Sequence, residues 1–132
     1  MKRNKAYKFR IYPNEEQKVL IHKHFGCARF VYNWALNLKN EAYQKTETNL
    51  SIFTITNMLP EMKKKEETKW LKEVNSLSLQ QSLRNLDMAY TAFFKKRASF
   101  PTFKSKHNNH KSFQVTQNTI VDVENKKISI PK

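Results

Sequence analysis

Cysteine, glycine and acid are what this 132-residue chain has least of: one Cys, one Gly, and eleven Asp and Glu against twenty-five Lys and Arg. The lone Cys27 makes no internal disulfide and suits a reducing compartment. The lone Gly26 leaves no glycine-rich loop of the kind that wraps a nucleotide's phosphates. No apolar run reaches the roughly 18 residues a membrane-spanning helix needs. The opening Met1-Lys2-Arg3-Asn4-Lys5 is not followed by the apolar stretch of a secretory leader, so the expected compartment is the cytoplasm.

The shortage of acid is also uneven. No Asp or Glu precedes Glu15, where Lys5, Lys8 and Arg10 already stand, and none lies between Asp87 and Asp122, a stretch holding Lys95, Lys96, Arg97, Lys104, Lys106 and Lys111. The net charge of +14 exceeds what solubility asks for and points to a polyanionic partner, nucleic acid or an anionic membrane surface. By contrast Glu61 to Glu73 mixes both signs, as a solvated helix face does. Nine Phe, five Tyr and two Trp make the chain too aromatic for a disordered one, and its length suits a single domain with a real core.

Residues 6 to 12 alternate apolar Tyr7, Phe9 and Ile11 with basic Lys8 and Arg10, which predicts a half-buried strand ended by Pro13. Asn14 with Gln17 three residues on predicts a capping box and a helix whose apolar face carries Leu20, Ile21 and Phe25. Gly26 falls where a left-handed C-cap would end that helix, and the stripe Cys27, Phe30, Val31, Trp34, Ala35, Leu38 and Ala42 predicts a second helix to about Tyr43. A short or kinked helix is expected from Ile52 to Met62, weakened by Pro60, with Trp70, Leu71 and Val74 packing back on the core. Ser78 with Gln81 offers a second capping box, and Leu79, Leu83, Leu86, Tyr90, Phe93 and Phe94 give an amphipathic helix ending near Arg97. Residues 98 to 111 read as an irregular basic loop. Ser112 to Gln117, Ile120 to Val123 and Ile128 to Ile130 read as strands, with Asn125-Lys126-Lys127 as a turn. The expected fold is α+β, with the first strand pairing with those at the far end.

Two features carry a binding chemistry. The helices meeting at Gly26 fit a helix-turn-helix pair, whose polar face would present Arg29, Asn33, Asn37 and Asn40 to phosphates and base edges. Ordinary helical hairpins look the same, and the stripe through Phe30 and Trp34 is in most proteins simply core. The segment Phe100-Pro101-Thr102-Phe103-Lys104-Ser105-Lys106 interleaves aromatics with cations, an arrangement that stacks on unpaired bases while neutralising phosphates. Its plain reading is a basic loop anchored by its Phe residues. Metal and catalytic readings are weaker: His22, His24 and Cys27 are close together and His107 and His110 are three apart, but no four-ligand zinc spacing occurs. Asp87, Asp122 and Glu124 form no pair suited to magnesium or to general acid–base work, so neither cofactor nor catalysis is expected of these residues. A membrane-surface role is disfavoured because the apolar faces are needed for the core.

The ordered succession Asn4-Lys5-Ala6-Tyr7-Lys8-Phe9-Arg10-Ile11-Tyr12-Pro13, Gly26-Cys27-Ala28-Arg29-Phe30-Val31-Tyr32-Asn33-Trp34-Ala35-Leu36, Trp70-Leu71-Lys72-Glu73-Val74, Leu79-Gln80-Gln81-Ser82-Leu83-Arg84-Asn85-Leu86-Asp87 and Phe100-Pro101-Thr102-Phe103-Lys104 resembles the opening of the TnpB (OrfB) family of insertion-sequence proteins. The resemblance covers nearly the whole chain. It implies the amino-terminal part of an RNA-guided DNA endonuclease that binds a guide RNA and recognises a short DNA motif.

On that resemblance, residues 1–13 would be the first strand of a wedge domain, 14–97 a helical recognition domain with a helix-turn-helix-like pair, 98–111 a basic loop and 112–132 further strands of an incomplete wedge-type β-barrel. The family's DNA-motif readers would fall on Thr56, Ser76 and Gln80, of which Gln80 can bond adenine bidentately. Thr102 stands where the family often has an arginine, which removes one phosphate contact. Lys5, Lys8, Arg10, Arg29, Asn33, Arg84, Lys95, Lys96, Arg97, Lys104 and Lys106 complete the expected nucleic-acid contacts. The family's RuvC-like nuclease, with its three acids for magnesium, has no counterpart in these residues. The implied partners are DNA, guide RNA and a carboxy-terminal nuclease part, with a nucleoid-associated location. The alternative is an autonomous helix-turn-helix DNA-binding regulator, dimeric on a palindromic site.

Overall fold

The computed structural model describes residues 4–47, 50–105, 112–115 and 119–130. Three helices make its body: α1 (Glu15–Thr46), α2 (Ile52–Lys64) and α3 (Ser76–Phe94), with a 3-10 turn (Lys69–Glu73) between the last two. A two-stranded antiparallel hairpin follows, β1 (Ile120–Asp122) against β2 (Lys127–Ser129), with Val121 opposite Ile128. The α+β class therefore stands, with helix predominating, and the hairpin is the only sheet among the described residues.

The start of α1 is the capping box its sequence predicts. The Asn14 side chain accepts from the Gln17 N–H at 2.8 Å, and the Gln17 side chain accepts from the Asn14 N–H at 2.9 Å. Glu15 and Glu16 in the first turn suit the positive end of the helix dipole. The helix does not end at Gly26. It runs unbroken for 32 residues, and no glycine has a positive φ. A single glycine costs a helix only about 1 kcal/mol, and here burial on both sides of it outweighs that. His24, Cys27, Val31 and Leu36 follow one another along a single buried face. The left-handed cap lies instead at Glu47, whose N–H is shared by the carbonyls of Ala42 and Tyr43.

Ser51 caps α2, and Pro60 is accommodated within it. Its buried residues Ile55, Leu59 and Met62 face a core completed by Val31, Ala35 and Leu36 of α1, by Leu79, Leu83 and Leu86 of α3, and by Leu71 and Val74 beside the 3-10 turn. Trp70 stands edge-on to Phe30 at 4.9 Å, and Lys23 pairs with Glu73 at 3.0 Å, so both bind the turn to α1. Helix α3 begins at Ser76, with the Asn75 side chain accepting from the Leu77 N–H at 2.9 Å. Ser78 is therefore not a cap. Asn75 caps the helix three residues earlier, and Ser78 is buried in its first turns. The helix closes with a Schellman turn, in which the Arg97 N–H reaches the Ala92 carbonyl at 2.8 Å and Lys96 takes a left-handed φ of 60°.

The expected strand at residues 6 to 12 is absent. Residues 4–13 have no regular secondary structure, and Phe9 and Tyr12 are 80% and 84% exposed. An alternating pattern becomes a strand only when a neighbour takes up its N–H and C=O groups, and no strand lies beside this one among the described residues. The expected pairing with the far end is likewise absent. Arg10 to Pro13 and the hairpin's Lys126 to Ile130 do come to the same end of the body, around a hollow of about 500 Å³ that the first turns of α1 also line. Residues 112–115 form no strand either, and Thr116 and Gln117 lie outside the described residues. Phe113 packs against His24 and Phe25 at 4.7 and 5.6 Å, and Gln114 accepts from Asn85 at 3.0 Å. These tethers hold the segment as a strap across α1 and α3. The hairpin turn spans 123–126, so the expected Asn125 and Lys126 lie in it while Lys127 already belongs to β2; two bonds from Asn125 to the Asp122 carboxylate secure it and hold that carboxyl below its ordinary value.

Candidate nucleic-acid interface

The loop after α3 is fixed to the middle of α1 by one side chain. The Asn33 amide accepts from the Lys104 N–H at 2.7 Å and donates to the Lys104 carbonyl at 2.9 Å, a two-bond clamp between residues 71 apart in sequence. The Lys104 ammonium sits over the Tyr32 ring, 4.7 Å from its centroid, a cation–π contact that orients the charge. Burial pushes the Tyr32 hydroxyl above its ordinary value. Phe100 stands edge-on to Tyr90 and Phe93 at 5.5 and 5.1 Å, and Pro101 is buried. Phe103 stays more than half exposed. Phe100 thus anchors the loop, and Phe103 is the aromatic it presents.

Where α1 meets α3 the contacts turn polar. Lys39 is buried, donating to the Leu50 carbonyl at 2.7 Å and standing 4.8 Å from the Tyr90 ring centroid; burial lowers its pKa, partly offset by Asp87. Tyr90 donates to Asn40 at 3.3 Å. These groups complete the fold, so Asn40 is engaged internally.

The remaining expected contact residues fall into three groups. Lys5, Lys8 and Arg10 are exposed on the irregular amino-terminal segment, and Lys95, Lys96 and Arg97 are exposed on the turn that closes α3. Ser76, Gln80 and Arg84 succeed one another at four-residue spacing on the exposed side of α3. Arg29 is half-buried on α1 beside the clamped loop. Two assignments change character: Asn33 spends its amide on the loop backbone, and Thr56 donates its hydroxyl to the Ile52 carbonyl at 2.7 Å within α2. Lys106 lies outside the described residues, as do His107 and His110.

His24 was grouped with His22 and Cys27 by sequence, yet its two ring nitrogens face the Leu20 carbonyl at 2.9 Å and the Asn75 N–H at 3.3 Å. It bridges α1 to the cap of α3. Burial, reinforced by the Glu73 carboxylate, pushes the Cys27 thiol up to about 11. No cluster of three or more His, Cys, Asp or Glu fit to hold a metal occurs among the described residues, and no helix among them is long and apolar enough to cross a membrane. Sequence reasoning missed the structural parts played by Asn33, His24 and Phe113. Only Phe113 carried a signal, an aromatic just beyond the basic loop.

An α+β helical body with cationic loops clamped to it defines a small basic module, and residues 1–48 match a helix-turn-helix domain of OrfB proteins from IS605-type insertion sequences. The chain is 39% identical, over all its 132 residues, to a protein of Escherichia coli K12 that bears the name RNA-guided DNA endonuclease InsQ. It is 39% identical over 113 residues to a protein of Streptomyces pristinaespiralis named as an RNA-guided DNA endonuclease. It is also 38% identical over 112 residues to virulence protein VsdF of Salmonella dublin, of which it covers 94%. The chain belongs to the TnpB (OrfB) family of insertion-sequence proteins. It spans about a third of the length of the first two relatives, 33% and 28%. Within the matched region, residues 4–14 have no regular secondary structure and Glu15–Thr46 is one continuous helix, so the break expected at Gly26 forms no part of it.

Proposed function

We propose that the chain is the nucleic-acid-binding amino-terminal region of a TnpB-type protein, engaging guide RNA and target DNA, with cleavage left to the further two-thirds that its longer relatives possess. The observation that carries this reading is the clamped loop. The 34 acid-free residues after Asp87 present Lys95, Lys96, Arg97, Phe103 and Lys104 on a backbone held to α1 and α3. Stacking and phosphate neutralisation both gain from such preorganisation. Residues 14–97 would form the recognition unit, and the exposed row Ser76, Gln80 and Arg84 offers amide and guanidinium groups to a duplex, with Gln80 suited to adenine. The regulator alternative rests on a helix pair joined at Gly26, and α1 is unbroken there.

Binding of labelled single-stranded RNA and of duplex DNA, titrated across salt concentrations, tests the proposal. Engagement of six duplex phosphates gives a logarithmic salt slope of about −5. A slope near zero removes the electrostatic case, and magnesium-dependent cleavage by these 132 residues alone contradicts the division of labour.

A further inference from the structure

Arg29 and Lys104 are 75 positions apart, yet both line one small hollow of about 60 Å³. Its walls come from four segments. Helix α1 gives Arg29 and Tyr32, α3 gives Ser82 and Asn85, the clamped loop gives Lys104 and Ser105, and the strap gives Ser112. Among the described residues, no carboxylate lines it. Two cations, four hydroxyls and two amides thus line the space, together with Phe25, Ala28 and Phe113, and no acid stands among them.

We infer that this hollow is a seat for a single phosphodiester group of a bound nucleic acid, held jointly by Arg29 and Lys104. The inference rests on the nucleic-acid reading above and narrows it, turning two separately expected cations into one site. Size supports it, since a water needs about 10–15 Å³ of such space. The hollow therefore has room for several waters, and so for the oxygens of a tetrahedral phosphate. Chemistry supports it too: the residues lining the hollow include a guanidinium, an ammonium and hydroxyls, the set that charge-assisted recognition of phosphate uses.

The walls are also preorganised. Asn33 fixes the Lys104 backbone at 2.7 and 2.9 Å, the Tyr32 ring lies 4.7 Å from its ammonium, and Asn85 holds the strap through Gln114 at 3.0 Å. Asn33 is then a positioning residue, acting through the backbone it clamps.

The test is a double-mutant cycle on RNA binding with Arg29→Gln, Lys104→Gln and the pair, each checked for helix content by circular dichroism. Two cations sharing one phosphate predict a loss of about tenfold for each single variant. The pair should then lose well short of the roughly hundredfold that independent contacts would give. The salt slope should fall by about 0.7 in total, one phosphate's worth for a single strand. Lys104→Arg, which keeps the charge, should retain most of the affinity. Inorganic phosphate titrated into the unmodified chain should shift the NMR amide signals of Ser105 and Asn85 and compete with RNA at constant ionic strength. Multiplicative losses, or a slope change near 1.4 for the pair, overturn the shared seat. Phosphate-induced shifts in a chain that binds no RNA overturn the backbone assignment together with the broader function, and leave a free-phosphate site.

Discussion

The helical body and the two ends of the chain carry similar apolar residues and treat them oppositely. Leu36, Leu71, Leu79, Leu83 and Leu86 are fully buried, whereas Tyr7, Phe9, Val121 and Val123 stand in solvent. The difference lies in what each element needs. A helix satisfies its own backbone and asks only for a partner to one face, which α1, α2 and α3 supply to each other. A strand needs neighbours both for its ladder and for its face. The hairpin has one neighbouring strand, and residues 4–13 have none among those described. Around the end hollow, Arg10 to Pro13 and Lys126 to Ile130 are brought close without being joined.

The contrast can be broken at three places, with effects of decreasing size. Leu83→Ala removes a fully buried side chain from the centre of the body and should cost about 2–5 kcal/mol, read from urea unfolding. A loss below about 0.5 kcal/mol would mean that the body is no better packed than the ends. Gly26→Ala should stabilise by about 0.5–1 kcal/mol, because the glycine is helical and a Cβ there meets nothing within 4 Å. Destabilisation would restore the hinge that the sequence suggested. Val121→Thr on the exposed hairpin should change stability by no more than about 0.5 kcal/mol. A larger loss would reveal packing of the hairpin against the body.

The elements read correctly from sequence are those that local chemistry decides. The Asn14–Gln17 cap, the stripe of α3 and the turn at Asn125 each depend on residues a few positions apart. The errors arose where a local signal met a longer one. Gly26 carries a stop signal, but the series Leu20, His24, Cys27, Val31 keeps helical phase straight through it, and that continuity decided the outcome. Ser78 with Gln81 mimics a cap that Asn75 supplies three residues earlier. The strand pattern of residues 6 to 12 was real as a pattern but had no neighbour to pair with among the described residues. At the candidate site the types of residue were legible and their convergence was not. Nothing within a few residues of Asn33 announces that its amide will hold the backbone at Lys104.

An unbroken α1 also has a mechanical consequence. Leu20 borders the end hollow and Arg29 the small cationic one, and the nine-step interval from one to the other rises about 14 Å along a single rod. Two helices hinged at Gly26 would let each hollow adjust to its occupant separately. One stiff strut instead holds the two hollows at a fixed separation and angle, so neither can shift along α1 without the other.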